Sequence, residues 1–231
     1  MTTFTYDLAP DRRPSFGLIV LQADLTVEDD MRHLLPKQAN LMVSRVPSGE
    51  EVTSETLQRM ENHITGAAGL FPRGHRFDVV GYACTSGTAQ IGAARVAELV
   101  RQGTVADHVT DPLTALVAMC HDHGVTRLAM LSPYIAPVSA KLRERLTDAG
   151  IATPVFGTFA EAEEAKVARI SAGSIVDAAH KLLDGASVDA LFLSCTNLKT
   201  LGVLARLEAE LGVPVWSSNG CLAWHMQKLI K

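Results

Sequence analysis

Apolar residues along this chain fall into short unbroken runs, separated by longer stretches that are apolar on one side only. The unbroken runs lie at 15–21, 40–46, 77–83, 126–131, 153–156, 190–194 and 213–217. Their length and their lack of alternation predict strands covered on both faces. Between them the period is helical, at 26–35, 53–70, 91–102, 111–124, 138–149, 160–170, 175–183, 201–211 and 219–230. Punctuation agrees with several of these. Pro36 stops the first helix, Pro112 opens the fourth and Gly124 closes it, and Gly150 follows the fifth. Residues 105–108 read as a short connector or strand, and the polar, proline-bearing residues 1–14 as a loose arm. Strand and helix alternate throughout, so the expected class is α/β, with parallel sheets flanked by helices.

The pattern also repeats. The run at 77–83 follows Phe77-Asp78 and ends in Cys84-Thr-Ser-Gly-Thr88; the run at 190–194 follows Val188-Asp189 and ends in Cys195-Thr-Asn197. The loop ending at Asp24 and the loop ending at Tyr134 are separated by nearly the same offset as the two cysteines. Matched landmarks predict two similar lobes, each with a parallel four-stranded sheet, related by a pseudo-twofold with a cleft between them. The expected first lobe is 15–112 plus 217–231, and the second 113–216. A single doubly wound sheet is the rival arrangement.

Parallel sheets bind ligands beyond the carboxyl ends of their strands, where helix N-termini point. The loops there, at 22–24, 84–88, 132–134 and 195–198, hold Cys, Thr, Ser, Asn, Asp and Tyr, and no Lys, Arg or His. Such a cradle holds a carboxylate with backbone N–H groups, and a thiol at a helix start is expected to have its pKa lowered. Plainer readings stand beside these. A cysteine that ends a core strand commonly packs. Asp24 also reads as an ordinary turn or capping residue and Tyr134 as a residue that closes a loop, while the run from Glu161 to Glu164 reads as a solvated helix face. Cys120 and Cys221 read as packing residues, and His121 and His123 as surface residues. The spacing of Gly87 and Gly92 does not form a dinucleotide fingerprint.

Composition narrows the classes. The 231 residues are 47% hydrophobic and 20% charged, enough for one large or two small globular domains. A net charge of −4 leaves no basic footprint for nucleic acid. No apolar run approaches the roughly 18–20 residues that span a bilayer. The N-terminus lacks a signal pattern, so a cytoplasmic protein is expected. No C-x-x-C spacing occurs, and neither a structural metal nor a cofactor is expected.

At these motifs the sequence resembles the Asp/Glu racemase superfamily, most closely its maleate cis-trans isomerase and arylmalonate decarboxylase group. The residues that carry the resemblance are Gly17-Leu-Ile-Val20, Cys84-Thr-Ser-Gly-Thr88, Ser132-Pro-Tyr134, Val167-Ala-Arg-Ile170, Ser194-Cys-Thr-Asn197 and Ser217-Ser-Asn-Gly-Cys-Leu-Ala-Trp-His225. The stretch from Gly17 to Asp24 also resembles the racemase-like proteins of bacterial ectoine breakdown. The resemblance implies a cofactor-independent isomerase with Cys84 and Cys195 as its catalytic pair. It implies that Asp24, Thr85, Ser86, Tyr134, Glu164, Thr196 and Asn197 hold the substrate. Both cysteines together match racemases and maleate isomerases; the decarboxylase branch keeps only the second. Asp24 and Glu164 stand where maleate isomerases carry Asn. Two carboxylates repel a dicarboxylate and suit a substrate with an amino group. The expected function is therefore racemisation or epimerisation of an amino-acid-like carboxylate, such as an ectoine-derived diamino acid. The alternatives are maleate cis-trans isomerisation through a cysteine adduct, arylmalonate-type decarboxylation, and non-enzymatic binding of a small acid. The expected partner is a small carboxylate or amino-acid-like substrate, and a homo-oligomer is compatible with the apolar helices.

Overall fold

Strand β1 (Ser15–Leu21) is buried at every residue because it lies between two neighbours and under helices on both faces. It pairs in parallel with β2 (Asn40–Val46) on one side and β3 (Arg76–Ala83) on the other, with β4 (Val105–Thr110) at the far edge. A second sheet has the same permutation. There β5 (Arg127–Tyr134) lies between β6 (Ala152–Glu161) and β7 (Ala190–Leu193), with β8 (Val215–Ser217) outside β7. The strand orders β2-β1-β3-β4 and β6-β5-β7-β8 are one topology written twice, which rules out the single doubly wound sheet. These coordinates of residues 1–9 and 13–231 come from a computed structural model.

Helices follow the strands, with several departures from the sequence pattern. Helix α1 (Val27–Leu34) stops just before Leu35 and Pro36. The helix expected over 53–70 is two, α2 (Ser54–Arg59) and α3 (Glu61–Ala68), parted at Met60, whose sulfur lies 3.9 Å from the Tyr82 hydroxyl. Helix α4 (Thr85–Ile91) starts directly after Cys84 instead of near residue 90. Gly92, at φ +98°, then breaks it from α5 (Ala93–Gly103). Helices α6 (Pro112–His123) and α7 (Ala136–Asp148) lie close to expectation. The largest departure is at 160–170. Strand β6 runs on to Glu161, paired through Ser132↔Thr158 and Tyr134↔Glu161, and leaves only the short α8 (Glu164–Val167). Sheet pairing overrides the helical preference of this Glu- and Ala-rich stretch. Helix α9 (Ala172–Leu183) is capped by Ser171, and a 3₁₀ turn (Leu201–Val203) precedes α10 (Leu204–Leu211).

The closing helix α11 (Ser218–Lys228) returns to the first sheet. Its Leu222, Ala223 and Met226 pack with Phe16, Leu18, Val20, Val79 and Ala83, and it also lies along α6. A side chain at Gly81 would place its Cβ 3.0 Å from the Met226 sulfur, so glycine there allows the helix its close approach. On this packing we propose the lobe boundary as 15–112 plus 217–231 against 113–216. One apolar core runs unbroken between the lobes, from Ile19, Phe77 and Tyr82 through Cys84 and Cys195 to Leu131 and Leu193. No helix among the described residues is long and apolar enough to cross a membrane.

Candidate active site

Cys84 follows β3 directly and is the N-cap of α4, with its sulfur accepting the Gly87 N–H at 3.1 Å. That contact needs a glycine: a Cβ on residue 87 would lie 2.8 Å from this sulfur and 2.9 Å from Met60 Cε. Cys195 stands at the matching place after β7 but is held differently. No helix begins there; residues 194–200 are irregular up to the 3₁₀ turn. Its backbone sits at φ +108°, and its N–H donates to Ser218 Oγ at 2.9 Å. Its sulfur meets the Asn197 N–H at 3.2 Å and the Tyr134 hydroxyl at 2.9 Å.

Tyr134 ends β5, and its hydroxyl donates to Glu164 Oε1 at 2.8 Å. The other oxygen of Glu164 accepts the Asn197 side-chain amide at 2.7 Å. Asp24 turns back on its own loop. Its Oδ1 accepts the N–H groups of Thr26 and Val27, each at 2.8 Å, and its Oδ2 accepts the Thr196 hydroxyl at 2.9 Å. Asp24 thus holds the N–H groups at the start of α1, whose N-cap is Thr26, and also ties the lobes together. The Asn197 side-chain oxygen accepts Leu25 N–H at 2.9 Å, a second tie. Ser218 supplies a third: its oxygen takes the Thr85 hydroxyl at 2.8 Å as well as the Cys195 N–H.

Of the residues expected from the sequence, Asp24, Thr85, Tyr134, Glu164, Cys195, Thr196 and Asn197 are joined through buried hydrogen bonds, while Cys84 and Ser86 are buried on either side of Thr85 without a bond to that network among the described residues. Three participants were missed. Ser218 and Asn219, whose amide donates to the Thr196 carbonyl at 2.8 Å, sit in a stretch read as a helix start; its polar run Ser217-Ser-Asn-Gly220 was the available signal. Residues 50–52 were the third. The Val52 N–H donates to Ala162 O at 2.8 Å and the Glu164 N–H to Glu50 O at 3.0 Å, around an antiparallel bridge from Glu51 to Glu163. Nothing local in the sequence signals that pairing. It straps one lobe to the other next to Glu164, where a cavity of about 10 Å³ is lined by Leu21, Val52, Leu57 and Met60 among others.

Closure sets the electrostatics. Burial pushes the Cys84 thiol well above its ordinary value, against the Gly87 N–H, and the charges of Glu164 and Asp24 push it further. Burial raises Cys195 likewise, with Glu164 adding to it and the Tyr134 hydroxyl opposing. The lowered thiol pKa expected from a helix start is thus corrected: in the closed site loss of water outweighs the few N–H groups that reach each sulfur. Glu164 and Asp24 are also raised, first by burial and against their hydrogen bonds. Outside the network, Cys120 is buried in the core and Cys221 packs its sulfur 3.7 Å from that of Met119.

Two parallel α/β lobes, each with a buried free thiol shortly after its third strand and joined by a polar network, define a two-lobed class of protein. Residues 16–231 match the family model for arylmalonate decarboxylase, and the chain belongs to that family. It is similar to the maleate isomerase of Nocardia farcinica, 28% identical over 220 residues covering 87% of this chain and 84% of that one. It is also similar to the maleate isomerase of Geobacillus stearothermophilus, 25% identical over 217 residues covering 87% and 86%. The fold superposes on the crystal structure of the maleate isomerase Iso from Pseudomonas putida S16 with a TM-score of 0.85, at 22% identity, over 95% of this chain and 93% of that one. The protein is an enzyme of the isomerase type.

Proposed function

We propose that the protein is a cofactor-independent isomerase of a small carboxylic acid, and that cis-trans isomerisation of a maleate-like acid is its reaction. The observation that carries this is the pair of buried thiols after equivalent strands, with Ser218 Oγ accepting both the hydroxyl of Thr85, the neighbour of Cys84, and the N–H of Cys195. The two maleate isomerase relatives favour the same chemistry. Cys84, as thiolate, adds to one alkene carbon, and the electron pair moves onto the adjoining carboxylate. The former double bond, now single, rotates. Expulsion of the sulfur restores the alkene in the trans form. Thr85, Ser86, Thr196 and Asn197, with nearby backbone N–H groups, hold the charge on the carboxylate. Incubation with maleate is expected to give fumarate, and to add the mass of one maleate to Cys84 when Cys195 is replaced by Ser. Absence of both products would remove this reading.

One observation favours a second reaction. Asp24 and Glu164 are buried carboxylates whose hydrogen-bond donors are backbone N–H groups, hydroxyls and an amide, none of them a cation. A substrate amino group would complement them, and racemisation of an amino-acid-like carboxylate, an ectoine-derived diamino acid included, uses the same two thiols on opposite faces of the α-carbon. The double variant Asp24→Asn with Glu164→Asn separates the two. An amine-selective site predicts a gain in maleate turnover on removing the carboxylates, together with loss of α-proton exchange in D₂O on N-acetylated diamino acids. A site made for maleate predicts no gain.

A further inference from the structure

The two thiols differ in one respect that the proposed reaction does not use. Cys84 is reached by a backbone N–H, whereas Cys195 stands at one end of a hydrogen-bonded chain that ends on a carboxylate. From the 2.9 Å and 2.8 Å links on either side of the Tyr134 hydroxyl, we propose that Glu164 and Cys195 share a single proton through Tyr134, so that the Cys195 thiolate forms inside the closed site.

The chain has two arrangements of equal charge. In the first, Glu164 is ionised and must accept the tyrosine O–H, so the tyrosine oxygen accepts the Cys195 S–H. In the second, the S–H bond has broken as a new O–H bond forms on Tyr134, while the original phenolic proton has passed to Glu164 Oε1. Tyr134 is a phenol in both; Glu164 ends as a carboxylic acid and Cys195 as a thiolate. No proton enters or leaves. Tyr134, Glu164 and Cys195 are all buried, so an internal acceptor is the nearest route for the proton.

The surroundings fit this exchange. Asn197 holds both ends at once, its side-chain amide on Glu164 Oε2 and its N–H on the Cys195 sulfur. The other titratable groups facing the chain are Asp24, from the loop after β1, and Cys84, directly after β3. Burial disfavours charge on Glu164 and on Cys195 alike, which brings the two arrangements closer in energy than an exposed carboxylate and thiol would be. Glu164 acts through Tyr134 and positions the proton; it need not touch the reacting carbon. The inference rests on Cys195 being a working thiol, but its test uses no substrate, so failure of the relay and failure of the proposed reaction are separate results.

The test is the pH dependence of alkylation by iodoacetamide. Cys84 and Cys195 are read separately by peptide mass spectrometry, under conditions where labelling is first order in reagent. Because the thiolate is the reactive form, a thiol that must lose its proton to solvent labels about tenfold faster per pH unit below its pKa. In the native protein Cys195 is expected to label at a rate almost independent of pH between about pH 6 and 8, where the pair keeps one proton, while Cys84 rises steeply. In Glu164→Gln and in Tyr134→Phe, Cys195 should acquire the steep dependence. A steep Cys195 profile in the native protein overturns the proposal, as does a flat profile retained in either variant. If one variant fails to fold, the other and the native profile still decide.

Discussion

Cys195 holds a backbone angle, φ +108°, that L side chains rarely adopt. Its N–H is tied to Ser218 and its sulfur is turned back onto Asn197 and Tyr134, so the surrounding bonds hold the residue in that conformation. Such a conformation costs about 1–3 kcal/mol. Glycine relieves it and alanine does not, although both remove the thiol. In urea unfolding Cys195→Gly is therefore expected to be more stable than Cys195→Ala by about 1 kcal/mol or more. Equal midpoints would show that no strain is stored there. The same scale explains Asp24, for which a capping role and a site role had seemed alternatives. Its Oδ1 holds the N–H groups at the start of α1 while its Oδ2 reaches Thr196 in the other lobe, so one carboxylate does both.

Helix α4 shows how an element, rather than a residue, delivers a sulfur. Its first turn wraps Cys84 so tightly that residue 87 has no room for a side chain; the atoms in the way are the sulfur itself, Met60 and the Tyr82 hydroxyl. Gly87→Ala is expected to destabilise the fold by about 1–3 kcal/mol and to lower turnover by displacing Cys84. Gly66, inside α3, is the contrast. A Cβ there would meet nothing within 4 Å, and Gly66→Ala should stabilise by about 0.5–1 kcal/mol through helix propensity alone. Thermal unfolding of the two variants checks the sign of each. A neutral Gly87→Ala would mean that α4 can move away from the thiol without cost. Sequence pattern places a single helix at 91–102, which matches α5, and reads 84–88 as a loop; α4 escapes it because its start at Thr85 depends on a thiol acting as cap and its end on the positive φ of Gly92.

Across the whole molecule the active site is an inter-lobe object. The ties Asp24–Thr196, Leu25–Asn197, Cys195–Ser218 and the strap at 50–52 each join one lobe to the other. The strap joins residues 50–52 to 162–164 beside Glu164, and both cysteines are buried. Val52→Pro deletes the donor to Ala162 O, a bond worth about 1 kcal/mol. Alkylation of Cys84 and Cys195 at fixed pH is expected to speed up about fivefold, with Cys120 unchanged, because Cys120 lies in a separate core cluster. Equal acceleration at all three would mean general loosening instead of opening of the site.

Periodicity alone determined the α/β class, and the twofold repeat and the two Cys-Thr strand ends were visible in it, because strand burial, helical spacing and turn chemistry are local properties of a chain. Eight of the expected site residues stand in the loops after strands and are legible for the same reason, whereas Glu164 is named only by what the family resemblance implies. What needed the tertiary structure was every relation between them. Glu164 looked like part of a solvated helix face until β6 was extended by pairing with β5, which brings it to the Tyr134 hydroxyl. Ser218 looked like a helix start until α11 was laid against the first sheet, with its hydroxyl on the Cys195 N–H. The thiol pKa values reversed direction because burial is a property of the closed assembly of both lobes, and no local motif encodes it.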